Sequence, residues 1–275
     1  MDLPTFNRRT VAGAVKATIV AIPPVPDGAE SMTVGFAPAV ATDAGAVVVV
    51  GPLTATVVLD SFGTVLATVV VVGHRAPEVT AHVQANAPDW ARIQFATQHE
   101  QNGTGDAASA GVAGLSVDIS SNTSAVLVMP GDTPLLTSHT INRLITEHTT
   151  SKNVATVLTA VLDDPTGYGR IVRDSSGNVV GIVEHRDASP DELNIREINT
   201  GIYLFDFKLF GPALKGIGTN NSQAEYYLTD VVAVLASAGH SVGSVIAPAS
   251  ETAGVNDPLQ LAEAEREMLR RNAAR

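Results

Sequence analysis

Alternating apolar and polar blocks predict a regular series of strands and helices from Val69 onward. Val69–Val72, followed by a glycine, predicts a buried parallel strand that ends in a turn. Farther along, short apolar runs predict strands and amphipathic stretches predict helices. The predicted strands are 93–97, 125–129, 154–162, 170–173, 179–183, 198–205 and 242–246. The predicted helices are 77–87, 138–148 and 227–238. Residues 256–258 cap a last predicted helix, which runs to about 272. This alternation predicts an α/β fold in which helices cover both faces of a parallel or mixed sheet.

The first 68 residues lack this order. A proline cluster at 23–26 breaks any helix there. The segments 47–50 and 54–59 have the composition of strands, but no amphipathic helix lies between them. We therefore expect two parts, which are an atypical, irregular N-terminal segment over 1–68 and an α/β domain over 69–275.

The composition limits the classes of partner. The chain of 275 residues is 45% hydrophobic, which is enough for a substantial core, and its formal net charge is −11. This charge argues against binding to nucleic acid or to an anionic membrane, although magnesium and backbone N–H groups can still hold the phosphates of a nucleotide. The chain has no cysteine, so disulfides, thiolate nucleophiles and cysteine-ligated zinc are excluded, and we expect a cytoplasmic protein. No apolar run reaches the roughly 18 residues that cross a bilayer.

Seven short islands of polar and small residues follow one another across the domain. They lie at 98–105, 131–136, 167–171, 183–185, 197–202, 220–230 and 254–256, and they include Gly-Thr-Gly, Gly-Asp, Gly-Tyr-Gly-Arg and Gly-Val-Asn. In this order they resemble the uridylyltransferase (pyrophosphorylase) domain that makes UDP-N-acetylglucosamine, from about residue 69 to the end. The resemblance implies a three-layer, Rossmann-like nucleotidyltransferase fold with a mixed sheet. It also implies transfer of UMP from UTP to N-acetylglucosamine-1-phosphate with release of pyrophosphate.

Two residues are candidate metal ligands. Asp132 follows a predicted strand, which is where ligands bind in open α/β sheets, and a carboxylate there can hold Mg²⁺ against a triphosphate. Asp132 could instead cap the next helix, and Asn256 is also a good N-cap for the last helix. The resemblance implies that Asp132 and Asn256 jointly hold Mg²⁺.

The first island suits a pyrimidine base. A glutamine amide can both donate to and accept from one edge of a pyrimidine, and a Gly-Thr-Gly loop permits close approach of the backbone. A glycine-rich loop by itself is usually only a turn. The resemblance assigns this stretch to uracil, and the substrate contacts that it implies there and in the next island are Gln98, Gln101, Gly103, Thr104 and Gly131. The family commonly has histidine where this chain has Asp106, which adds a negative charge near the base.

Polar or small residues also interrupt the later apolar strands. Such groups bind sugars, with glutamate accepting from hydroxyls, although a glutamate at this place could equally be an exposed hairpin residue. The resemblance implies that five of them surround N-acetylglucosamine, and these are Tyr168, Gly169, Glu184, Asn199 and Thr200. It also places residues 225–227 at the border of that pocket.

One expected feature is not found in residues 1–68. The family opens with a first strand that runs into Leu-x-x-Gly-x-Gly-Thr-Arg-Met, followed by a Pro-Lys motif, and the cations of these motifs face the departing pyrophosphate. A segment translated out of its ancestral frame would account for the difference, and so would a diverged, catalytically inactive sugar-nucleotide-binding protein. A sibling nucleotidyltransferase for another sugar or base is a third interpretation. No hexapeptide repeat is present, so we expect no left-handed β-helix acetyltransferase domain.

Overall fold

The computed structural model describes residues 54–59, 65–73, 75–87, 91–115 and 125–273. The strands in these ranges are β1 Thr54–Leu59, β2 Val65–Val72, β3 Ile93–Thr97, β4 Ala125–Pro130, β5 Ala155–Val161, β6 Arg170–Arg173, β7 Val179–Val183, β8 Glu197–Asp206 and β9 Val242–Ile246. The helices are α1 Ala76–Asn86, α2 Thr104–Ala113, α3 Ser138–Thr150, α4 Pro190–Leu193, α5 Phe207–Leu214, α6 Asp230–Ser237, α7 Ala249–Thr252 and α8 Pro258–Ala273. The predicted mixture of strands and helices is confirmed. Most of the segment 1–68 lies outside the described residues.

One mixed sheet runs through the molecule in the order β3-β2-β1-β4-β8-β5-β9. β2 pairs with β3 in parallel, and β5 pairs with β9 in parallel. In contrast, β1 is antiparallel to β2 and β4, and β8 is antiparallel to β4 and β5. Along this path, β2, β3, β4, β5 and β9 therefore point one way, whereas β1 and β8 point the other way. The hairpin of β6 and β7 joins the sheet through β8.

Side chains along β4 alternate between two hydrophobic clusters, as the period of a strand requires. Val126 and Val128 belong to a cluster that includes residues of α5 and α6. Leu127 and Met129 belong to a second cluster that includes residues of α3. Helices thus pack on both faces of the sheet, which gives the three layers of an α/β domain.

Two helices begin at residues of the types that favour the N-cap position. The Thr137 side chain accepts a hydrogen bond from the Thr140 N–H at the start of α3. Asp257 Oδ1 accepts from the Gln260 N–H at 2.8 Å at the start of α8. Within the described ranges, no helix is both long enough and apolar enough to cross a bilayer.

Candidate active site

Predicted site residues gather at the edge of the sheet where β2, β3 and β4 end. Gly73, Gln98 and Gly131 are the first residues after these three strands. The Gln98 N–H donates to the Val72 carbonyl at 2.8 Å, which joins the first two strand ends. Ligands of open α/β sheets bind at the carboxyl ends of parallel strands, so this edge is the natural location for a site.

Asp132 and Asn256 both lie close to Gly254. A Cβ atom added to Gly254 would stand 2.9 Å from Asp132 Oδ2 and 3.7 Å from Asn256 Nδ2. The Val255 N–H donates to the Asp132 carbonyl at 2.9 Å, so the two segments are joined directly. A side chain at position 254 would displace the carboxylate, which explains the glycine there. The structure therefore brings together the two residues that the sequence predicts as metal ligands.

Other residues occupy the N-cap positions that were the alternative roles for this pair. Thr137 caps α3, so Asp132 does not, and Asp257 caps α8, so Asn256 does not. Among the described residues, no group of three or more His, Asp or Glu side chains could hold a metal ion. Mg²⁺ commonly binds one or two protein carboxylates and completes its octahedral shell with water and phosphate oxygens. A carboxylate and an amide at one point of the binding edge fit such a site.

The Gln98 amide is oriented by its own loop. Gln98 Nε2 donates to the Gly103 carbonyl at 3.1 Å and to Asp106 Oδ2 at 2.7 Å. Both amide hydrogens are thus used inside the loop, and Oε1 is the atom left to meet a ligand. Asp106 lies in the first turn of α2, where the helix dipole favours a carboxylate. The negative charge at this position is therefore engaged by Gln98 and by the helix end.

The segment 98–105, here called the base loop, packs through Gly103 and Gly105 against the backbone of Tyr226. The Gly105 N–H donates to the Tyr226 carbonyl at 2.7 Å, and the Tyr226 N–H donates to the Asn102 carbonyl at 2.7 Å. Thr104 Oγ1 accepts from the Leu228 N–H at 3.0 Å. These glycines thus permit a close approach between the base loop and the Tyr226 backbone. This contact joins the base loop to residues 225–227, which the resemblance places at the border of the sugar pocket.

Replacing Gly103 by alanine is expected to lower the free energy of unfolding by about 2–4 kcal/mol, from backbone strain and displaced neighbours together. Gly103 has φ of +107°, and its Cβ would stand 2.6 Å from the Tyr226 carbonyl oxygen. The matched control is Gly177→Ala, because Gly177 also has positive φ (+87°) but no atom within 4 Å of its Cβ position. Strain alone then costs about 1 kcal/mol. Denaturant unfolding measures both variants, and equal losses would contradict the close contact.

Three predicted residues, here called the sugar cluster, come together: Gly169 directly before β6, Glu184 directly after β7 and Asn199 within β8. A Cβ atom on Gly169 would stand 3.4 Å from Glu184 Oε2 and 3.5 Å from Asn199 Cβ. The Asn199 N–H donates to the Gly169 carbonyl at 2.9 Å. Two residues hold the polar side chains in place, since Thr229 Oγ1 donates to Glu184 Oε1 at 3.1 Å and Asn199 Nδ2 donates to Tyr203 Oη at 2.6 Å.

The Glu184 side chain is half-buried and has acidic neighbours. Burial raises the pKa of Glu184, the hydrogen bond from Thr229 partly opposes this rise, and the nearby Asp187 and Asp230 carboxylates add to it. Burial likewise raises the pKa of Tyr203, with Glu184 contributing, so its hydroxyl stays protonated. A carboxylate in such surroundings gains from hydroxyl donors, which sugars supply.

A β-bulge in β8, directly after Asn199, lies next to the segment that leads to Asp132. The register between β5 and β8 shifts after Leu158, which leaves Thr200 and Gly201 outside the regular pairing. Gly201 has φ of +77°, and its Cβ would stand 3.6 Å from Pro130 Cγ, two residues before Asp132. Thr200 lies buried in the bulge, where its hydroxyl donates to the Leu158 carbonyl at 2.7 Å.

The remaining predicted residues lie around this edge. The Gln101 side chain reaches Gly73, with Nε2 3.6 Å from the Cβ position of that glycine. Tyr168 lies in the turn before Gly169 and has an exposed side chain. Sequence reasoning did not single out Thr229 or Tyr203 as supports. The island at 220–230 contains Thr229 and was the available signal, whereas Tyr203 is indistinguishable from a core residue of its strand.

The match to known proteins is consistent with this arrangement. A model described as nucleotidyl transferase matches residues 47–252, which is more than half of the chain. The chain belongs to the nucleotidyl transferase family.

Bacterial proteins are among the curated relatives of this nucleotidyl transferase. The bifunctional protein GlmU of Streptomyces coelicolor is 50% identical over 200 residues, which cover 72% of this chain and 40% of that protein. The bifunctional protein GlmU of an Exiguobacterium species is 45% identical over 218 residues, which cover 79% of this chain and 46% of that protein. The chain therefore spans less than half the length of these curated relatives.

Solved structures share the fold of this nucleotidyl transferase. The nucleoside-diphosphate-sugar pyrophosphorylase from Vibrio cholerae RC9 has a TM-score of 0.54 at 15% identity, with 71% of this chain and 79% of that chain covered. A UDP-glucose pyrophosphorylase complexed with UDP-glucose has a TM-score of 0.56 at 13% identity, with 74% and 81% covered. At these identities the likeness concerns the fold, and it confirms the predicted Rossmann-like nucleotidyltransferase architecture.

Proposed function

We propose that this domain is a cytoplasmic N-acetylglucosamine-1-phosphate uridylyltransferase, which transfers UMP from UTP to the sugar phosphate and releases pyrophosphate. The observation that carries the proposal is the convergence of Asp132 and Asn256 around Gly254, beside the bulge that leads to Asn199. The identity of 50% to the bifunctional protein GlmU over 200 residues supports the same assignment.

The orientation of Gln98 supports uracil as the base. Its amide hydrogens go to Gly103 and Asp106, so Oε1 is presented as an acceptor. Uracil carries an N3–H that such an acceptor can bind, whereas N3 of cytosine has no hydrogen. A buried or half-buried polar group that lacks its partner is costly, so this loop favours a base that presents a donor to Oε1, as the N3–H of uracil does.

The cluster of Gly169, Glu184 and Asn199 supports an amino sugar. Glu184 can accept from sugar hydroxyls, and the glycine at 169 keeps a further side chain out of the space between Glu184 and Asn199. The amide of Asn199, held by the Tyr203 hydroxyl, is a polar group suited to the amido sugar and its phosphate.

The reaction needs no covalent enzyme intermediate. An oxygen of the sugar phosphate attacks the α-phosphorus of UTP, a new P–O bond forms, and the bond between the α-phosphorus and the bridging oxygen of pyrophosphate breaks. Asp132 and Asn256 would hold Mg²⁺, which supplies positive charge to the phosphates when bound. The base loop and the sugar cluster fix the two substrates at one edge of the sheet, and catalysis of phosphoryl transfer rests mainly on such positioning and charge.

Titration calorimetry with UDP-N-acetylglucosamine and UDP-glucose tests the sugar assignment. We expect the amino-sugar nucleotide to bind about tenfold more tightly, because a site that hydrogen-bonds a polar group rejects an analogue that lacks it. Glu184→Ala should weaken both ligands, since both present sugar hydroxyls. Equal affinities, or binding of neither ligand at millimolar concentration, would count against the assignment.

A further inference from the structure

Arg170 is a buried arginine directly behind the sugar cluster. Its exposed fraction is 1%, and among the described residues it forms no ion pair. Its Nη1 donates to the Tyr168 carbonyl, and its Nη2 donates to His185 Nδ1 at 3.3 Å. Burying a guanidinium is costly, and the buried Nε of Arg170 has no hydrogen-bond partner among the described residues, so the two Nη bonds are what the side chain holds.

The position of Arg170 in the sheet explains why these bonds matter. Arg170 pairs with Val183 of β7 on one side and with Ile198 of β8 on the other. The residues next to these three along the chain are Gly169, Glu184 and Asn199, which form the sugar cluster. Successive residues of a strand face opposite sides of a sheet. Arg170 therefore directly follows one residue of the sugar cluster, and its two paired residues directly precede the other two.

We infer that Arg170 and His185 form a tether that positions Gly169 and Glu184 for the amino sugar, an inference that rests on the proposed function. One end of the tether holds the carbonyl just before Gly169, and the other end holds the ring just after Glu184. The tether thus fixes the spacing between the ends of β6 and β7. Arg170 and His185 are positioning residues, since the groups assigned to the sugar are their neighbours.

The chemistry of the tether sets which substitutions it tolerates. Arginine has no acceptor, so His185 Nδ1 must accept, and the neutral ring carries its proton on Nε2. An asparagine at 185 can place its Oδ1 near the position of Nδ1, whereas a leucine cannot accept. Lysine at 170 has a single ammonium group in place of a planar fork, so it cannot hold both partners in the same geometry.

Calorimetry on four proteins tests the tether: the wild type, His185→Leu, His185→Asn and Arg170→Lys, each with UDP-N-acetylglucosamine and with UTP. We expect His185→Leu and Arg170→Lys to weaken UDP-N-acetylglucosamine binding about tenfold, as loss of one hydrogen bond to a charged group implies. UTP affinity should stay within about twofold, because UTP does not reach the sugar cluster. His185→Asn should restore most of the sugar-nucleotide affinity. Equal losses for both ligands, or no rescue by asparagine, would overturn the tether.

A second measurement needs no ligand and separates the tether from the proposed function. The Asn199 N–H donates to the Gly169 carbonyl at 2.9 Å, so its hydrogen exchange reports on the geometry of the cluster. Faster exchange in His185→Leu than in His185→Asn supports the tether even if the wild type binds no UDP-N-acetylglucosamine, an outcome that would refute the proposed function. Equal exchange in the two variants refutes the tether whatever the ligand results.

Discussion

Alanine at Asp132 is expected to weaken magnesium-dependent binding of UTP by on the order of 100-fold, since even the groups that orient metal ligands contribute about 10–100-fold to metal affinity. Asn256→Ala should weaken it by at least about tenfold, because a neutral amide is a weaker ligand than a carboxylate. Both side chains flank Gly254 at the binding edge, and neither occupies the N-cap of a helix. Calorimetry with UTP in magnesium and in a chelator measures the effect.

The chain offers a matched control in Asp257, the next residue after Asn256. Asp257 caps α8, so Asp257→Ala should cost about 1 kcal/mol of stability and leave the magnesium dependence of binding unchanged. Asn256→Ala should show the reverse. If Asn256→Ala instead lowers the melting temperature and keeps the magnesium dependence, the metal role of Asn256 is wrong.

The strands were more predictable than the helices. The predicted strands 93–97, 170–173, 179–183 and 242–246 have the bounds that the structure shows, because a polar residue or a proline follows each strand within two residues. Helix α2 was not predicted, since its buried residues are glycines and alanines, which give little amphipathic contrast. Small residues are needed there because α2 lies close to the sheet and to Tyr226. Helix α5 contains Pro212, which argues against a helix in a local pattern although the structure has one.

The candidate site was partly predictable. Asp132 and Asn256 were named from the resemblance, and the structure places them together, but no sequence pattern shows that Asp106 orients the amide of Gln98. That contact depends on the turn between β3 and α2, which periodicity does not describe. The bulge at Thr200 was visible only as a glycine in an apolar strand.

The direction of β1 could not be read from the sequence, because a period of two is the same in both directions. Thr54 pairs with Val71 and Pro130, so the chain enters β1 at the edge that holds the candidate site. Leu59 pairs with Ala125, at the opposite edge. The resemblance implies a first strand that runs into a glycine-rich phosphate loop. The carboxyl end of β1 therefore lies at the edge opposite the candidate site, where such a loop would not meet the substrate.

Arginines close to the candidate site have other partners. Arg173 pairs with Glu197 at 2.6 Å, and Arg170 donates to Tyr168 and His185. Arg271 pairs with Glu267 at 2.9 Å and donates to a backbone carbonyl. Together with a net charge of −11, this leaves the charge of a departing pyrophosphate poorly compensated by these side chains.

Pyrophosphate release from UTP and N-acetylglucosamine-1-phosphate by this chain is therefore expected to be on the order of 10³-fold slower than by a chimera with a family-type first loop, a difference of about 4 kcal/mol in the barrier. In the chimera, a family-type segment that carries this loop, with its arginine and lysine, replaces residues 1–68. A second chimera with both cations replaced by alanine is the matched control, and it should return to the slow rate. UDP-N-acetylglucosamine affinity should be similar in all three proteins, because the sugar cluster and the base loop lie after residue 69.

Equal turnover by the chain and by the first chimera would show that residues 1–68 do not limit the reaction. Fast turnover by the alanine control would instead show that the loop acts through its backbone and not through its charge.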